Sequence, residues 1–127
     1  MEYLAIALGG ALGAVARFAL SSHAGRLLGA GFPYGTLAVN VIGSFIMGVC
    51  AVLIVEHLKS LGYWREFIMV GFLGAFTTFS TFSLDGLNLL HNGQVSTAIM
   101  YFIISVIGSV LACFAGWHLT KFILIGN

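Results

Sequence analysis

The residues best suited to chemistry lie in one run, Gly71-Phe72-Leu73-Gly74-Ala75-Phe76-Thr77-Thr78-Phe79-Ser80-Thr81-Phe82-Ser83. It holds four phenylalanines, five hydroxyls and two glycines, and no charge. Hydroxyls donate and accept hydrogen bonds, and a benzene ring has a negative face and a positive edge. Such groups can replace part of an anion's hydration shell without binding it hard. Gly74, Thr77 and Thr78 favour a local unwinding, and an unwound helix exposes carbonyl oxygens suited to a small hard cation such as Na⁺. Hydroxyls can instead bond back to their own helix at i−4, but five within seven residues exceed that need.

Asn40 lies well inside another apolar stretch, where an amide must find partners. It can bond a neighbouring helix or aim a donor into an aqueous path. Tyr101, Ser105 and Ser109 are spaced i, i+4, i+8 and share one helix face. They can line the same path or bond between helices. Arg17 and Asp85 are the ionisable residues nearest to membrane depth, which makes them functional candidates or helix-end residues that snorkel. His23, His57, His91 and His118 fall at the ends of the apolar stretches, where an interfacial role is expected. Cys50 and Cys113 read as small buried thiols, with no CxxC spacing. No Cys/His/Asp/Glu cluster offers a transition-metal site. No Ser/His/Asp arrangement, Walker loop or dinucleotide fingerprint appears, so an enzyme is not expected.

These residues must be positioned by membrane helices. The chain has 127 residues, 60% of them hydrophobic and 7% charged, with mean hydropathy +1.07. Five basic residues are too few for a nucleic-acid footprint. Four stretches match the roughly 20 helical residues that cross a bilayer. They run from about Tyr3 to Ser22, Tyr34 to Val55, Trp64 to Leu90 and Val95 to Leu124. The first carries Glu2 instead of a lysine cluster and reads as a retained helix, not a cleaved leader. Gly29-Ala30-Gly31-Phe32-Pro33, Lys59-Ser60-Leu61-Gly62 and His91-Asn92-Gly93 are the expected turns. Residues 1–127 therefore read as one domain, an all-α membrane protein with a third helix broken at the hydroxyl run.

Charge does little to orient the chain. Lys59, Arg65 and Lys121 are expected on one side, and Arg17 and Arg26 on the other. The positive-inside rule needs a clearer excess. Weak orientation, or insertion both ways with pairing of the two orientations, follows. Small-xxx-small spacings at Gly9/Gly13, Gly10/Ala14, Ser44/Gly48, Gly71/Ala75 and Gly108/Ala112/Gly116 favour close helix contacts, within one chain or between two.

The chain resembles the CrcB/Fluc family of fluoride channels. The resemblance spans the whole chain and is carried by Gly10-Ala11-Leu12-Gly13-Ala14-Val15-Ala16-Arg17, by Gly35-Thr36-Leu37-Ala38-Val39-Asn40-Val41-Ile42-Gly43-Ser44-Phe45, by the Gly71–Ser83 run and by Tyr101 with Ser105. The third-span motif is the specific part. The resemblance implies a small four-helix protein that pairs as an antiparallel, dual-topology homodimer with two fluoride pores. It implies pore-lining roles for Asn40, Phe79, Ser80, Thr81, Phe82, Tyr101 and Ser105. It further implies a central structural Na⁺ on backbone carbonyls of Gly74 and Thr77 from both subunits, and a structural role for Arg17. Ala75-Phe76 is bulkier than the glycine and leucine that the family would place beside the break. A multi-pass place in a bacterial plasma (inner) membrane follows from the same resemblance. So does passive export of fluoride from the cytoplasm.

Two other classes fit the composition. One is a small dual-topology exporter coupled to protons, which would want an acidic residue near the middle of the first span. Glu2 is at its very end. The other is a membrane assembly factor without transport. Ion flux in liposomes separates all three.

Overall fold

The structure, a computed structural model, describes residues 1–57 and 62–125. It is helical throughout, with no strand among the described residues. Helix α1 (Glu2–Leu28) ends where Gly29 takes φ +88° and donates its N–H to the Gly25 carbonyl. A left-handed backbone at this point suits glycine. Helix α2 (Tyr34–Cys50) starts directly after Pro33 and continues as a π-helical segment, Ala51–His57. The third span opens as a π-helical segment, Glu66–Leu73, and passes into the short α3 (Gly74–Phe76). It breaks at Thr77 and Thr78 and resumes as α4 (Phe79–His91). Helix α5 (Val95–Ile125) closes the bundle.

Four stretches are long and apolar enough to cross a membrane: Glu2–Leu28, Tyr34–Ile54, Glu66–His91 and Val95–Leu124. They match the four expected spans, and the break falls inside the hydroxyl run. One boundary differs. Helix α1 runs on to Leu28 instead of stopping near Ser22. Ser22, His23 and Arg26 are too polar for hydrocarbon, yet nothing before Gly29 stops a helix. Membrane depth and helix length are therefore different boundaries here. The π-helical segments were not legible, because apolar periodicity over seven or eight residues does not separate α from π winding. Lys59, Ser60 and Leu61 lie outside the described residues, and Gly62, the last residue of that expected turn, takes φ +58°.

Two kinds of packing hold the bundle together. Helix α1 meets the first half of the third span backbone to backbone. A Cβ on Gly9 would strike the Phe67 carbonyl oxygen, one on Gly13 the Phe72 carbonyl oxygen, and one on Gly71 would lie 2.7 Å from the Ile6 carbonyl oxygen. Helices α2 and α5 pack in the same way, with Gly48 on the Cys113 carbonyl and Gly116 on the Phe45 carbonyl. Where lipid removes the hydrophobic drive between helices, such close approach supplies the van der Waals contact instead. The second kind uses side chains. Phe82, Leu89, Ala98 and Tyr101 are buried between α4 and α5, flanked by Phe32, Leu37 and Phe102. Gly86 leaves room for the Phe102 ring.

Candidate functional site

The break is built by three residues that exchange side-chain bonds for lost helical ones. Thr77 (φ −82°, ψ 156°) and Thr78 (φ −151°, ψ 117°) are extended. The Thr78 N–H donates to Asn40 Oδ1 at 2.7 Å, and Asn40 Nδ2 donates to the Thr78 carbonyl at 2.9 Å. One amide thus satisfies both backbone groups of a residue that no helix can satisfy. This placement answers the cost of an unpaired backbone group in hydrocarbon. The Thr78 hydroxyl then accepts from the Thr81 N–H at 3.1 Å and caps α4. It also donates to Thr81 Oγ1 at 3.0 Å and lies 3.3 Å from Ser80 Oγ.

This exchange has a consequence for the carbonyls before the break. A continuing helix would send the Thr78 N–H to Gly74 and the Thr81 N–H to Thr77. Both donors are engaged elsewhere. The Gly74 and Thr77 carbonyls therefore lose their helical partners, which leaves acceptor oxygens that fit a hard cation. The Thr77 side chain plays no part in this, because its hydroxyl bonds back to the Leu73 carbonyl at 2.9 Å. Ser83 does the same with the Phe79 carbonyl at 2.9 Å. Two of the five hydroxyls are thus silent, and the remaining three form the cap.

The phenylalanines divide at the break. Phe72 and Phe76 stack at 5.8 Å with a 10° interplanar angle. The bulk of Phe76 is taken up against Gly43, whose added Cβ would lie 3.1 Å from the ring. Phe79 and Phe82 lie beyond the break with ring centroids 5.3 Å apart. They are not equivalent. Phe82 is 8% exposed and packs on Tyr101 at 5.3 Å and on Phe102 edge-on at 5.5 Å. Phe79 is 76% exposed.

Two cavities lie along α2 and α4. The upper one, about 500 Å³, opens between the C-terminal part of α1 and the ends of α2 and α4. Thr36 and Asp85 are among its lining residues. The lower one, about 310 Å³, is lined by Asn40, Thr78, Phe79, Phe82, Ser105 and Ser109, among others. On α2 and α4 the two linings are about one turn apart: Thr36 to Asn40 on α2 and Asp85 to Phe82 on α4. The Phe82 and Tyr101 rings meet, tilted at 45°, between α4 and α5.

The floor of the upper cavity holds a polar group that the sequence did not single out as a unit. Thr36 Oγ1 donates to Asp85 Oδ2 at 2.5 Å, and Tyr101 Oη donates to the same oxygen at 3.4 Å. Thr36 enters the sequence reading only as part of the Gly35–Phe45 motif, with no role of its own. An i+4 spacing before Asn40 was the available signal, and one threonine in an apolar helix is too common to read. Ser105, one turn below Tyr101, is 5% exposed, and its hydroxyl has no hydrogen-bond partner among the described residues. Arg17 is half-buried on α1 and lines neither cavity. Asn40, Phe79, Phe82 and Ser105 are thus brought together at the lower cavity, Tyr101 joins them through Phe82, and Ser80 and Thr81 join through the cap.

A family model described as CrcB-like protein, Camphor Resistance (CrcB), matches residues 4–117. The chain belongs to this family. Its relatives include proteins named fluoride-specific ion channel FluC. That of Hahella chejuensis is 49% identical over 119 residues, 94% of each chain. That of Photobacterium profundum is 49% identical over 114 residues, 90% of each chain. That of Saccharophagus degradans is 50% identical over 119 residues, 94% of this chain and 89% of its own. Its four apolar spans make this a multi-pass membrane protein.

Proposed function

We propose that this CrcB-like protein is a passive fluoride channel and not an enzyme. The observation that carries the reading is the pair of cavities one turn apart on α2 and α4, with the Phe82–Tyr101 ring pair between them and the Asn40-clamped break beside the lower one. An anion would leave water in the upper cavity and pass the ring edges of Phe79 and Phe82. Hydroxyls of Ser80, Thr81, Tyr101 and Ser105 would offer it donors, and the second amide hydrogen of Asn40 would offer one more. So narrow a path demands nearly complete dehydration. Fluoride is the halide that holds water most tightly, so exclusion by size must work against chloride while close donors offset the fluoride cost.

The finer parts of this reading concern assembly. The outward side chains Ile103, Ile107, Val110 and Phe114 of α5 and the protruding Phe79 are exposed apolar groups. Lipid or a second copy must cover them. The weak charge asymmetry supports an antiparallel, dual-topology homodimer, in which Phe79 of each copy would reach a path shared with the other. The Gly74 and Thr77 carbonyls would then hold a structural Na⁺ near the two-fold axis, where its charge offsets oxygens that have lost their helical donors. Arg17 would serve that assembly structurally. Fluoride that entered a bacterial cytoplasm as the neutral acid would leave through the inner membrane by this route.

Fluoride efflux from proteoliposomes tests the reading. Release should be fast once an ionophore balances charge, and it should persist with no proton gradient. Flux that stops without a pH gradient would replace the channel with an exchanger. Loading with a large organic cation in place of Na⁺ should depress the rate, and an unchanged rate would remove the cation. A terminal tag on intact cells should be reached from both faces; one orientation alone would remove the dual topology.

A further inference from the structure

We propose that α2 aims the Thr77 carbonyl through two residues about one turn apart, Asn40 and Gly43, and that Gly43 is a positioning residue for the structural cation. The inference rests on the reading of that carbonyl as a sodium ligand. Gly43 differs from the glycines that bring helices together. Gly9, Gly13, Gly48, Gly71 and Gly116 all meet the backbone of a neighbouring helix. A Cβ on Gly43 would instead strike the Thr77 Cγ2 methyl and would lie 3.1 Å from the Phe76 ring. Among the described glycines, it alone makes room for a side chain at the break.

Thr77 is held on both sides of its Cα. Its N–H and its hydroxyl both donate to the Leu73 carbonyl, at 3.1 Å and 2.9 Å. Those bonds tie it to the helix that ends there. Branching at Cβ makes the threonine side chain stiff at χ1. The bonded hydroxyl therefore also sets where the methyl points, which is onto Gly43. The other hold is on the carbonyl side, where ψ of 156° has left the helical direction. The peptide between Thr77 and Thr78 is trans, so the Thr77 C=O and the Thr78 N–H point opposite ways in one plane. That N–H donates to Asn40 Oδ1 at 2.7 Å. The Thr77 carbonyl thus points away from Asn40, and turning it would break the amide bond or unseat the methyl. The side chain supplies no oxygen to the cation, yet it steadies the one that the backbone supplies. This accounts for the residue type. Serine would make the hydroxyl bond without filling the seat, and valine would fill the seat without the bond.

A pair of substitutions tests the contact. Gly43→Ala pushes the Thr77 methyl off its seat. Thr77→Ser removes that same methyl and keeps the hydroxyl bond to Leu73. Alanine is a better helix former than glycine, so any damage from Gly43→Ala comes from the clash. Gly43 and Thr77 also line the lower cavity, and flux alone would not separate aiming from obstruction. The experiment is therefore equilibrium binding of radioactive sodium to the purified full-length protein, beside a thermal melt in a large organic cation. A merely structural glycine would move the melt and leave the affinity. Gly43→Ala should bind sodium about 10–100-fold more weakly than the parent, as happens when a group that orients a metal ligand is disturbed. Thr77→Ser alone should lose less, and Gly43→Ala/Thr77→Ser should return to the level of Thr77→Ser. Parent-like affinity in Gly43→Ala would overturn the proposal, as would a double variant weaker than Gly43→Ala. Should Gly43→Ala not fold, Thr77→Ser decides, since parent-like binding there would mean that the methyl aims nothing. A parent that binds no sodium would end the cation reading and this proposal with it. A parent that binds sodium and carries no fluoride would defeat the channel and leave the aiming intact.

Discussion

The two halves of the third span are neighbours in sequence and opposites in construction. Before the break, the π-helical Glu66–Leu73 segment and α3 lie against α1 with no side chains between the backbones at Gly9, Gly13 and Gly71. After the break, α4 touches α5 through rings and branched side chains, with Phe82, Leu89 and Tyr101 buried between them. The first half is fixed by shape and has almost no freedom to adjust. The second carries the hydroxyls, the carboxylate and the exposed Phe79, and is adjustable at side-chain level. A helix that must present polar groups inside a membrane is here divided into an anchor and a working end, joined by an amide from α2.

The sharpest way to break that contrast is to fill the anchor. Gly71→Val would place branched carbons against the Ile6 carbonyl and the Gly9–Gly10 backbone, where no rotamer relieves the clash. The expected cost exceeds the usual 1–3 kcal/mol of overpacking. Little folded protein should survive in a detergent thermal melt. A matching insertion in the working end, Gly86→Ala, meets only the edge of the Phe102 ring, a side chain that can turn. If the two variants melt alike, the anchor is no stiffer than the rest.

The joint comes next. Asn40→Ala would leave the Thr78 N–H and carbonyl both unpaired, at about 1–3 kcal/mol each. Asn40→Asp keeps an acceptor for the N–H but loses the donor to the carbonyl and puts a carboxylate beside the path. The alanine variant should lose more stability. The aspartate variant should keep more fold yet lose flux strongly, since an ionised carboxylate repels an anion. A flux close to the parent's for Asn40→Asp would mean that the amide serves the clamp alone.

Phe79 and Phe82 divide the effects more finely. Phe82→Ile removes ring edges against Tyr101 and Phe102, worth about 0.5–1.5 kcal/mol per aromatic pair, and should lower both melting temperature and fluoride flux. Phe79→Ile removes a ring that is 76% exposed and should leave the melt in place while flux falls. Initial efflux rates, taken after each variant is shown to assemble as the parent does, decide this. Unchanged rates in both would make the two rings packing and move the path elsewhere.

How much of this the sequence could tell follows from which residues act alone. The four spans and the break were legible, because length, apolarity and a cluster of hydroxyls are local signals. Asn40 was legible as a problem, a lone amide in an apolar helix, but not in its solution, since its partner is the backbone of a residue 38 positions away. The Thr36–Asp85–Tyr101 group was illegible for the same reason. Each member is ordinary by itself, and only the crossing of three helices makes them one site. Phe79 and Phe82 carry the same pore expectation and differ by burial, which depends on what α5 offers opposite each one.

Tyr101→Phe is the smallest change and the finest probe of the working end. It keeps the ring, which is fully buried and packs edge-on to Phe32 at 5.5 Å and against Phe82 at 5.3 Å. It deletes one hydroxyl, whose bond to Asp85 is long at 3.4 Å, while the 2.5 Å bond from Thr36 to the same oxygen stays. A bond to a carboxylate contributes about 1.5–3 kcal/mol at ordinary length, and one stretched to 3.4 Å falls at or below the low end of that range. At about 1.4 kcal/mol per factor of ten, flux should therefore fall by no more than about tenfold, and the melt should hardly move. Two results would redraw the picture. A loss as deep as that of Phe82→Ile would mean that the hydroxyl leaves Asp85 and donates directly to the passing anion. A gain would mean that the Tyr101–Asp85 contact holds the path closed at rest, so that the working end is itself strained between a carboxylate that accepts and an anion that must be donated to.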